Sequence, residues 1–375
     1  MKNILITGGA GFIGSRLCEK LFDIGYNITV MDNLSSQIHG NGESFLFNRI
    51  KDKCIFINGD VRNKNDWKKA IKDQEIIVHL AAETGTGQSM YEIEKYNEVN
   101  IMGTAYMLEL LSSGNHKVKK IVIASSRAIY GEGKYLCPIH EIVYPNQRND
   151  VDMYNRKFNL KCDICHSELQ LVATDESSKI HPTSIYGITK QQQEQMVMIT
   201  AASLGISAVS FRYQNVYGPG QSLANPYTGI LSIFSTRILN GNDVDVYEDG
   251  EESRDFVYIE DAVDATILGI EKEKANAQVF NVGSGVATTV RQVAEVLKSF
   301  YNSEINILIN GKYRLGDIRH NYADLTKINH FLGFSPKYDF QKGISDFVSW
   351  VKTQKIMKDK YQSSIIELEQ KGLIK

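Results

Sequence analysis

Apolar residues over the first two hundred positions follow two alternating patterns. Short apolar runs occupy Lys2–Thr7, Asn27–Met31, Cys54–Ile57, Ile76–Leu80, Lys120–Ser125 and Ser207–Phe211, each the length of a strand. Between them, apolar residues recur at helical spacing: Phe12, Ile13, Leu17, Leu21 and Phe22 before Gly25, then the stretches Glu94–Leu111 and Ser184–Leu204. Strand, helix, strand at this pace predicts an α/β chain with a doubly wound parallel sheet and helices on both faces. Ile76-Ile77-Val78 and Ile121-Val122-Ile123 are continuously apolar, as strands buried on both faces must be. The rhythm breaks over residues 132–181, which are polar and aperiodic. After about residue 214 the elements become shorter and mixed.

Composition narrows the class. With 42% hydrophobic and 23% charged residues, the 375-residue chain reads as globular, with two domains as the simplest division. A formal net charge of −2 offers no global attraction to nucleic acid or an anionic membrane. No apolar run approaches membrane-spanning length, and Met1–Ile6 is too short for a signal segment, so a cytoplasmic protein is expected. Five cysteines do not make a disulfide scaffold. Cys18 and Cys54 read as buried apolar residues. Cys137, Cys162 and Cys165 cluster in the aperiodic middle, and Pro138, Pro145, Pro182, Pro219 and Pro226 all fall in the middle stretch of the chain.

The run Thr7-Gly8-Gly9-Ala10-Gly11-Phe12-Ile13-Gly14 stands between the first strand and the first helix. Gly8, Gly11 and Gly14 have the spacing that permits a tight turn, close approach of backbone to a pyrophosphate, and close helix–strand packing. The helix N-terminus adds N–H donors and a positive dipole. A plain strand–helix turn is the competing reading, and the strand-before, helix-after context opposes it. Asp32 closes the second strand, where a carboxylate accepts hydrogen bonds from ribose hydroxyls and repels a 2′-phosphate, favouring NAD over NADP. Asn33 follows it. Asp60-Val61, after the third strand, reads as an adenine contact or as an ordinary loop.

Tyr186 and Lys190 are four residues apart at the start of a helix and share a face. Ser125 and Ser126 end the fifth strand at the sheet edge where ligands bind. A tyrosine beside an ammonium and a cationic cofactor ring favours its phenolate, and a nearby serine hydroxyl bridges it to a substrate oxygen. Taken alone, Tyr-x-x-x-Lys is a common helical pair. Joined to the glycine turn it predicts hydride transfer with NAD and proton transfer by Tyr186, Ser126 and Lys190.

The chain resembles the extended short-chain dehydrogenase/reductase family, and within it the nucleotide-sugar epimerases and dehydratases. The resemblance is carried by Thr7–Gly14, Asp32, Leu80-Ala81-Ala82, Asn100, Ser125-Ser126-x-x-x-Tyr130-Gly131 and Tyr186-x-x-x-Lys190. Arg212-Tyr213-x-Asn215-x-Tyr217-Gly218-Pro219, Arg254-Asp255-Phe256, Asn281-Val282-Gly283 and Arg314-x-Gly316-Asp317 extend it to about residue 350. It implies a Rossmann-type NAD domain over 1–213 and a nucleotide-sugar domain over 214–375, interleaved with the first. It further implies Ser126, Tyr186 and Lys190 as catalytic, and Leu80, Ala81, Ala82 and Asn100 beside the cofactor. Asn215, Arg254 and Arg314 would hold the diphosphate, and Asp317 would lie near the nucleoside. A homodimer through the helices Glu94–Leu111 and Ser184–Leu204 is also implied.

Dehydratases of this family look like Ser/Thr-Asp-Glu before the Tyr-Gly, the carboxyl pair serving as acid and base for elimination. This chain has Ser126-Arg127-Ala128-Ile129-Tyr130, which opposes a dehydratase. Ala82–Met90, Tyr213–Leu223 and Asn225–Gly229 resemble the dTDP-L-rhamnose 4-epimerase type. Thr84, Gly85, Thr86, Arg127 and Gln214 are then expected around the sugar, with dTDP-6-deoxy-L-talose as product. A nucleotide-sugar dehydrogenase, reductase or decarboxylase with net redox change is the alternative. A non-enzymatic redox sensor or scaffold keeping only the NAD fold is the third reading.

Ser126 and Tyr186 are 60 residues apart, about twice the gap in most relatives, so roughly 35 residues are inserted. The insertion carries Cys137-Pro138-Ile139-His140 and Cys162-Asp163-Ile164-Cys165. Cys-x2-His followed by Cys-x2-Cys fits a closed, four-ligand structural zinc site. Three free thiols with a surface histidine is the competing reading, and His166 competes with His140 as ligand.

Overall fold

The computed structural model describes residues 2–40, 44–223, 225 and 229–375. Pro226, Tyr227 and Thr228 of the substrate-loop resemblance lie outside the described residues. The main sheet has seven strands: β1 (Asn3–Thr7), β2 (Asn27–Asp32), β3 (Ile55–Asn58), β4 (Ile76–His79), β5 (Lys120–Ser126), β6 (Ser207–Tyr213) and β7 (Gln278–Val282). Their spatial order is β7-β6-β5-β4-β1-β2-β3, and all neighbours are parallel. The order reverses between β1 and β4, which opens a crevice at the carboxyl ends of the strands. This is a Rossmann-type α/β fold.

Side chains alternate across the sheet. Ile4, Ile6, Val30, Val78, Val122 and Val209 pack into one buried cluster, and Leu5, Met31, Ile77, Ile121 and Ile123 into the other. Both faces are dry, which explains the unbroken apolar runs. The first cluster continues without a break into Phe256, Val257, Val293, Leu297 and Phe347 from the last third of the chain. Strand β7 also comes from that region, a contribution that the shorter, mixed pattern beyond residue 214 did not announce.

Three helices shape the crevice: α1 (Phe12–Asp23), α2 (Gly103–Ser112) and α3 (Ile185–Ser203). The periodicity predicted one helix over Glu94–Leu111. The chain instead passes from a helical turn at Ile93–Tyr96 through a wider π turn at Asn97–Met102 into α2. Helix α3 begins at Ser184, whose hydroxyl accepts the Gly187 N–H at 3.1 Å. No residue larger than Gly187 fits there, because a Cβ would lie 2.6 Å from the Ala128 carbonyl oxygen.

A smaller mixed sheet joins Asn215–Tyr217, Ser253–Tyr258, Ala287–Thr289 and His320–Asn321. Arg254 stands opposite Thr288 on one side and Asn321 on the other. The aperiodic middle is structured: Glu141–Val143, Tyr135–Cys137 and Gln170–Leu171 form a small antiparallel sheet, with a short helix at Asp150–Tyr154. Strands of two or three residues are too short to show a period. Cys18 is fully buried as expected, but Cys54 precedes β3 and is only half-buried, its thiol donating to the Ile50 carbonyl. Among the described residues no helix is long and apolar enough to cross a membrane.

Candidate functional site

A cavity of about 900 Å³ runs along the carboxyl edge of the sheet and on beneath the smaller one. At one end lies the glycine turn. Gly8 has φ +67°, and a Cβ there would stand 2.8 Å from the Ala81 nitrogen. At Gly14 a Cβ would stand 2.3 Å from the Gly8 carbonyl oxygen. The turn is therefore bare backbone facing the cavity, and Gly11, Phe12, Ile13 and Gly14 at the N-terminus of α1 line the wall beside it. Asp32 ends β2, where its carboxylate accepts the N–H groups of Ala10 at 3.1 Å and Leu34 at 2.9 Å. Asn33 donates to Asp60, whose carboxyl is held down at about 2 chiefly by its bond to Arg62. Val61, Leu80, Ala81 and Ala82 complete this end. The cradle of glycines, the helix terminus and the acid at the tip of β2 fit a dinucleotide.

Asn100 does not line the cavity. Its fully buried amide accepts the Glu83 N–H at 2.8 Å and donates to the Glu83 carbonyl and to Thr189. It ties the loop after β4 to α3, and the π turn is the element that carries it. Gly85 also stands behind the wall, its carbonyl accepting the Tyr96 hydroxyl at 3.0 Å, while Thr84 and Thr86 face the cavity.

Ser126, Tyr186 and Lys190 meet at the middle of the cavity. Ser126 ends β5 in register with Tyr213. Its hydroxyl caps the turn Arg127–Tyr130 by accepting the Ala128 N–H, and it hydrogen-bonds Tyr186. The Tyr186 backbone N–H is held by Ser89 from the loop that Asn100 secures. Lys190 is buried and donates to Gln193 at 2.7 Å. Burial governs both titrations in the protein itself. It pushes Tyr186 up, against the Ser126 bond and the Arg127 charge, and it pushes Lys190 down to about 7. The phenolate anticipated from the sequence thus needs a cation beyond those the chain supplies.

The far end is cationic. Arg127 donates from Nε to Asn215 Oδ1 at 3.2 Å, and burial, with Arg254 nearby, brings it down to about 9. Arg254 is held by the carbonyls of Ser253, Ile318 and Arg319. Arg314 lies 3.5 Å from Asp317 and over the Tyr247 ring. Gln214 is buried and lines the cavity, and neither of its amide atoms has a hydrogen-bond partner among the described residues. Three guanidinium groups and a free amide suit an anionic, polar ligand.

Some motif residues serve the frame instead. Asp255 is fully buried and accepts the N–H groups of Ser284, Gly285 and Ala323, joining the small sheet to the turn after β7. Tyr130 donates to Asn281, and Arg212 pairs with Glu194. Sequence reasoning missed Tyr247, Glu252 and Tyr361, which also line the cavity. Glu252 is pushed up to about 7 by burial and by Glu248. Tyr361 begins the helix Tyr361–Gln370, beyond the reach of the motifs, so no local signal announced it.

Cys137, His140, Cys162 and Cys165 come together, their ligand atoms all within 4.8 Å of one another, whereas His166 is exposed and outside the group.

Comparison with known proteins agrees with this geometry. The model of the NAD dependent epimerase/dehydratase family matches residues 4–156 and 166–283, and the gap between them falls within the insertion. A dTDP-L-rhamnose 4-epimerase of Burkholderia thailandensis is 36% identical over 93% of this chain and 95% of its own. The crystal structure of the Thermotoga maritima UDP-glucose 4-epimerase with UDP-glucose is 31% identical, with a TM-score of 0.73 over 93% of this chain and 98% of that one. The Thermus thermophilus UDP-glucose 4-epimerase, solved with NAD, is 26% identical, with a TM-score of 0.74 over 94% of this chain and 100% of that one.

Proposed function

This chain belongs to the NAD-dependent epimerase/dehydratase family, and on that premise we propose that it epimerises C4 of a nucleotide-activated 6-deoxyhexose, converting dTDP-L-rhamnose to dTDP-6-deoxy-L-talose. The observation that carries this reading is the order of groups along one cavity. The bare glycine turn lies at one end, Ser126, Tyr186 and Lys190 in the middle, and Arg127, Arg254 and Arg314 at the other. The division into a cofactor part, residues 1–213 with β7, and a nucleotide-sugar part within 214–375 follows the same order.

Bound NAD supplies the hydride acceptor and its return. Tyr186 takes the C4 hydroxyl proton, with the Ser126 hydroxyl holding that oxygen and Lys190 favouring the phenolate once a second cation is near. The 4-keto sugar turns over within the cavity so that the returning hydride would meet the opposite face of C4, and Tyr186 gives the proton back to the C4 oxygen. Arg254, Arg314 and Asn215 hold the diphosphate, and Arg127, bonded to Asn215, faces the sugar, so the nucleotide stays fixed while the sugar rotates. Asp317 lies by the nucleoside, Gln214 bonds the sugar, and Thr84 and Thr86 cover it. Asp32 supports NAD over NADP. No carboxyl pair follows Ser126, so nothing there removes water.

Arg127 also favours a second reading, since a cation beside Ser126 would pair with the carboxylate of a uronic sugar in a dehydrogenase or decarboxylase. Incubation with dTDP-L-rhamnose and NAD, followed by NMR of the product, separates the two. Epimerisation gives a new stereoisomer without net NADH. Stoichiometric NADH sinks it. Exposed Ile93, Met102, Ile188 and Ile199 on the two long helical segments support a homodimer, which light scattering would measure directly.

A further inference from the structure

We propose that Cys137, His140, Cys162 and Cys165 bind one structural zinc ion, and that the ion positions Arg148 against the loop carrying Arg314 and Asp317. Two tight turns present the four ligands. The first is the tip of a hairpin in which Cys137 pairs with Glu141, so that Pro138, Ile139 and His140 form the loop. The second is closed by the bridge between Lys161 and Glu168, with Cys162 N–H bonded to the Ser167 carbonyl and His166 N–H to the Cys162 carbonyl.

The spacing of the ligand atoms matches a tetrahedral ion. Cys137 Sγ is 3.5 Å from Cys165 Sγ and 3.6 Å from His140 Nδ1, and Cys162 Sγ is 3.5 Å from the same nitrogen. Tetrahedral zinc bonds place sulfurs about 3.8 Å apart and a sulfur and nitrogen about 3.6 Å apart. The Ile139 N–H points at Cys137 Sγ, and the Cys165 thiol donates to the Ser167 hydroxyl at 3.4 Å, a hydroxyl that would turn to donate to a metal-bound thiolate. Three thiolates and an imidazole select zinc over magnesium or calcium, and four protein ligands leave no open position for catalysis.

The insertion needs such a clamp. Ile139, Ile142 and Ile164 are exposed, and its largest apolar cluster, Met153 with Phe158, depends on Tyr313 from elsewhere. A metal supplies the missing folding free energy.

From the zinc turns a short path leads to the cavity. Asp163, between two ligands, accepts the Asn146 N–H at 3.0 Å. Two residues on, the Arg148 side chain is 4% exposed. Its guanidinium donates to Glu248 at 2.7 Å and to the Asp317 carbonyl at 2.9 Å. Arg148 does not line the cavity, so it is a positioning residue for Arg314 and Asp317. This second half rests on the proposed role of that loop in nucleotide binding; the metal itself does not.

The test begins with elemental analysis of the whole reduced protein, where about one zinc per chain is expected, released on titrating the thiols with a mercurial. Less than about a tenth of an equivalent, or iron in its place, overturns the site. Cys162→Ser with Cys165→Ser should lose the zinc; full retention would also overturn it. The wild-type titration stands even if that variant does not fold. Arg148→Met should keep its zinc and its NAD affinity while KM for the nucleotide sugar rises roughly tenfold and kcat changes less. Unchanged KM in Arg148→Met overturns the coupling and leaves the zinc standing. One zinc per chain with no affinity for any nucleotide diphosphate sinks the functional reading and the coupling together, not the metal site.

Discussion

Replacing Arg212 by methionine tests whether the ion pair beneath α3 holds that helix in place. Arg212 is the last residue but one of β6, and Glu194 lies on α3, four residues beyond Lys190. The two side chains are each 5% exposed and are joined by bonds of 2.6, 3.1 and 3.3 Å. Arg212 also donates to the Tyr130 hydroxyl and the Glu176 carbonyl. Methionine keeps the bulk but leaves Glu194 buried with only Ser210 as a bonded donor. An orphaned buried charge costs about 3–5 kcal/mol. Urea unfolding of both proteins at pH 8 reads this loss directly. Adding Glu194→Gln should recover more than half of the loss, because the charge is then gone. A loss below about 1 kcal/mol at pH 8, or a double variant as unstable as the sum of the singles, would refute the reasoning.

Tyr186→Phe should lower kcat by roughly 10²–10⁴ with unfolding unchanged, measured as product stereoisomer formed per hour; near-normal turnover would remove Tyr186 from proton transfer. Gly14→Ala puts a methyl 2.3 Å from the Gly8 carbonyl oxygen and 2.6 Å from Gly9 Cα, backbone atoms that cannot step aside. It should cost roughly 1–3 kcal/mol and weaken NADH binding in a fluorescence titration, and unaltered affinity would place the cofactor elsewhere. Lys190 sits at about 7, below its ordinary value of 10.5, so its burial penalty is complete below pH 7 and is relieved as pH climbs toward 10.5. Wild type should therefore gain stability relative to Lys190→Met between pH 7 and pH 10 in thermal melts, and parallel profiles would contradict the burial argument.

Local chemistry determined a good deal by itself. Unbroken apolar runs specify strands covered on both faces, so β1, β2, β4, β5 and β6 were legible, as was the glycine turn between β1 and α1. Tyr186 and Lys190 declared themselves by helical spacing, and the cluster of Cys137, His140, Cys162 and Cys165 by Cys-x2-His and Cys-x2-Cys. Other features depend on residues far apart in the chain. Strand β7 joins the sheet only because the core runs continuously from the first third of the chain into the last. The π turn that carries Asn100 is a widened helical turn, invisible to a period of 3.6. Tyr247, Glu252 and Tyr361 reach the cavity from segments with no local signature. Titration also depends on the surroundings: the sequence reading joined Lys190 to a cationic cofactor ring in favouring the Tyr186 phenolate, and in the chain by itself burial raises the tyrosine and lowers the lysine. Sequence specifies which groups are present and which face of an element they share. Desolvation and long-range contact, which depend on everything packed around a group, belong to the tertiary structure alone.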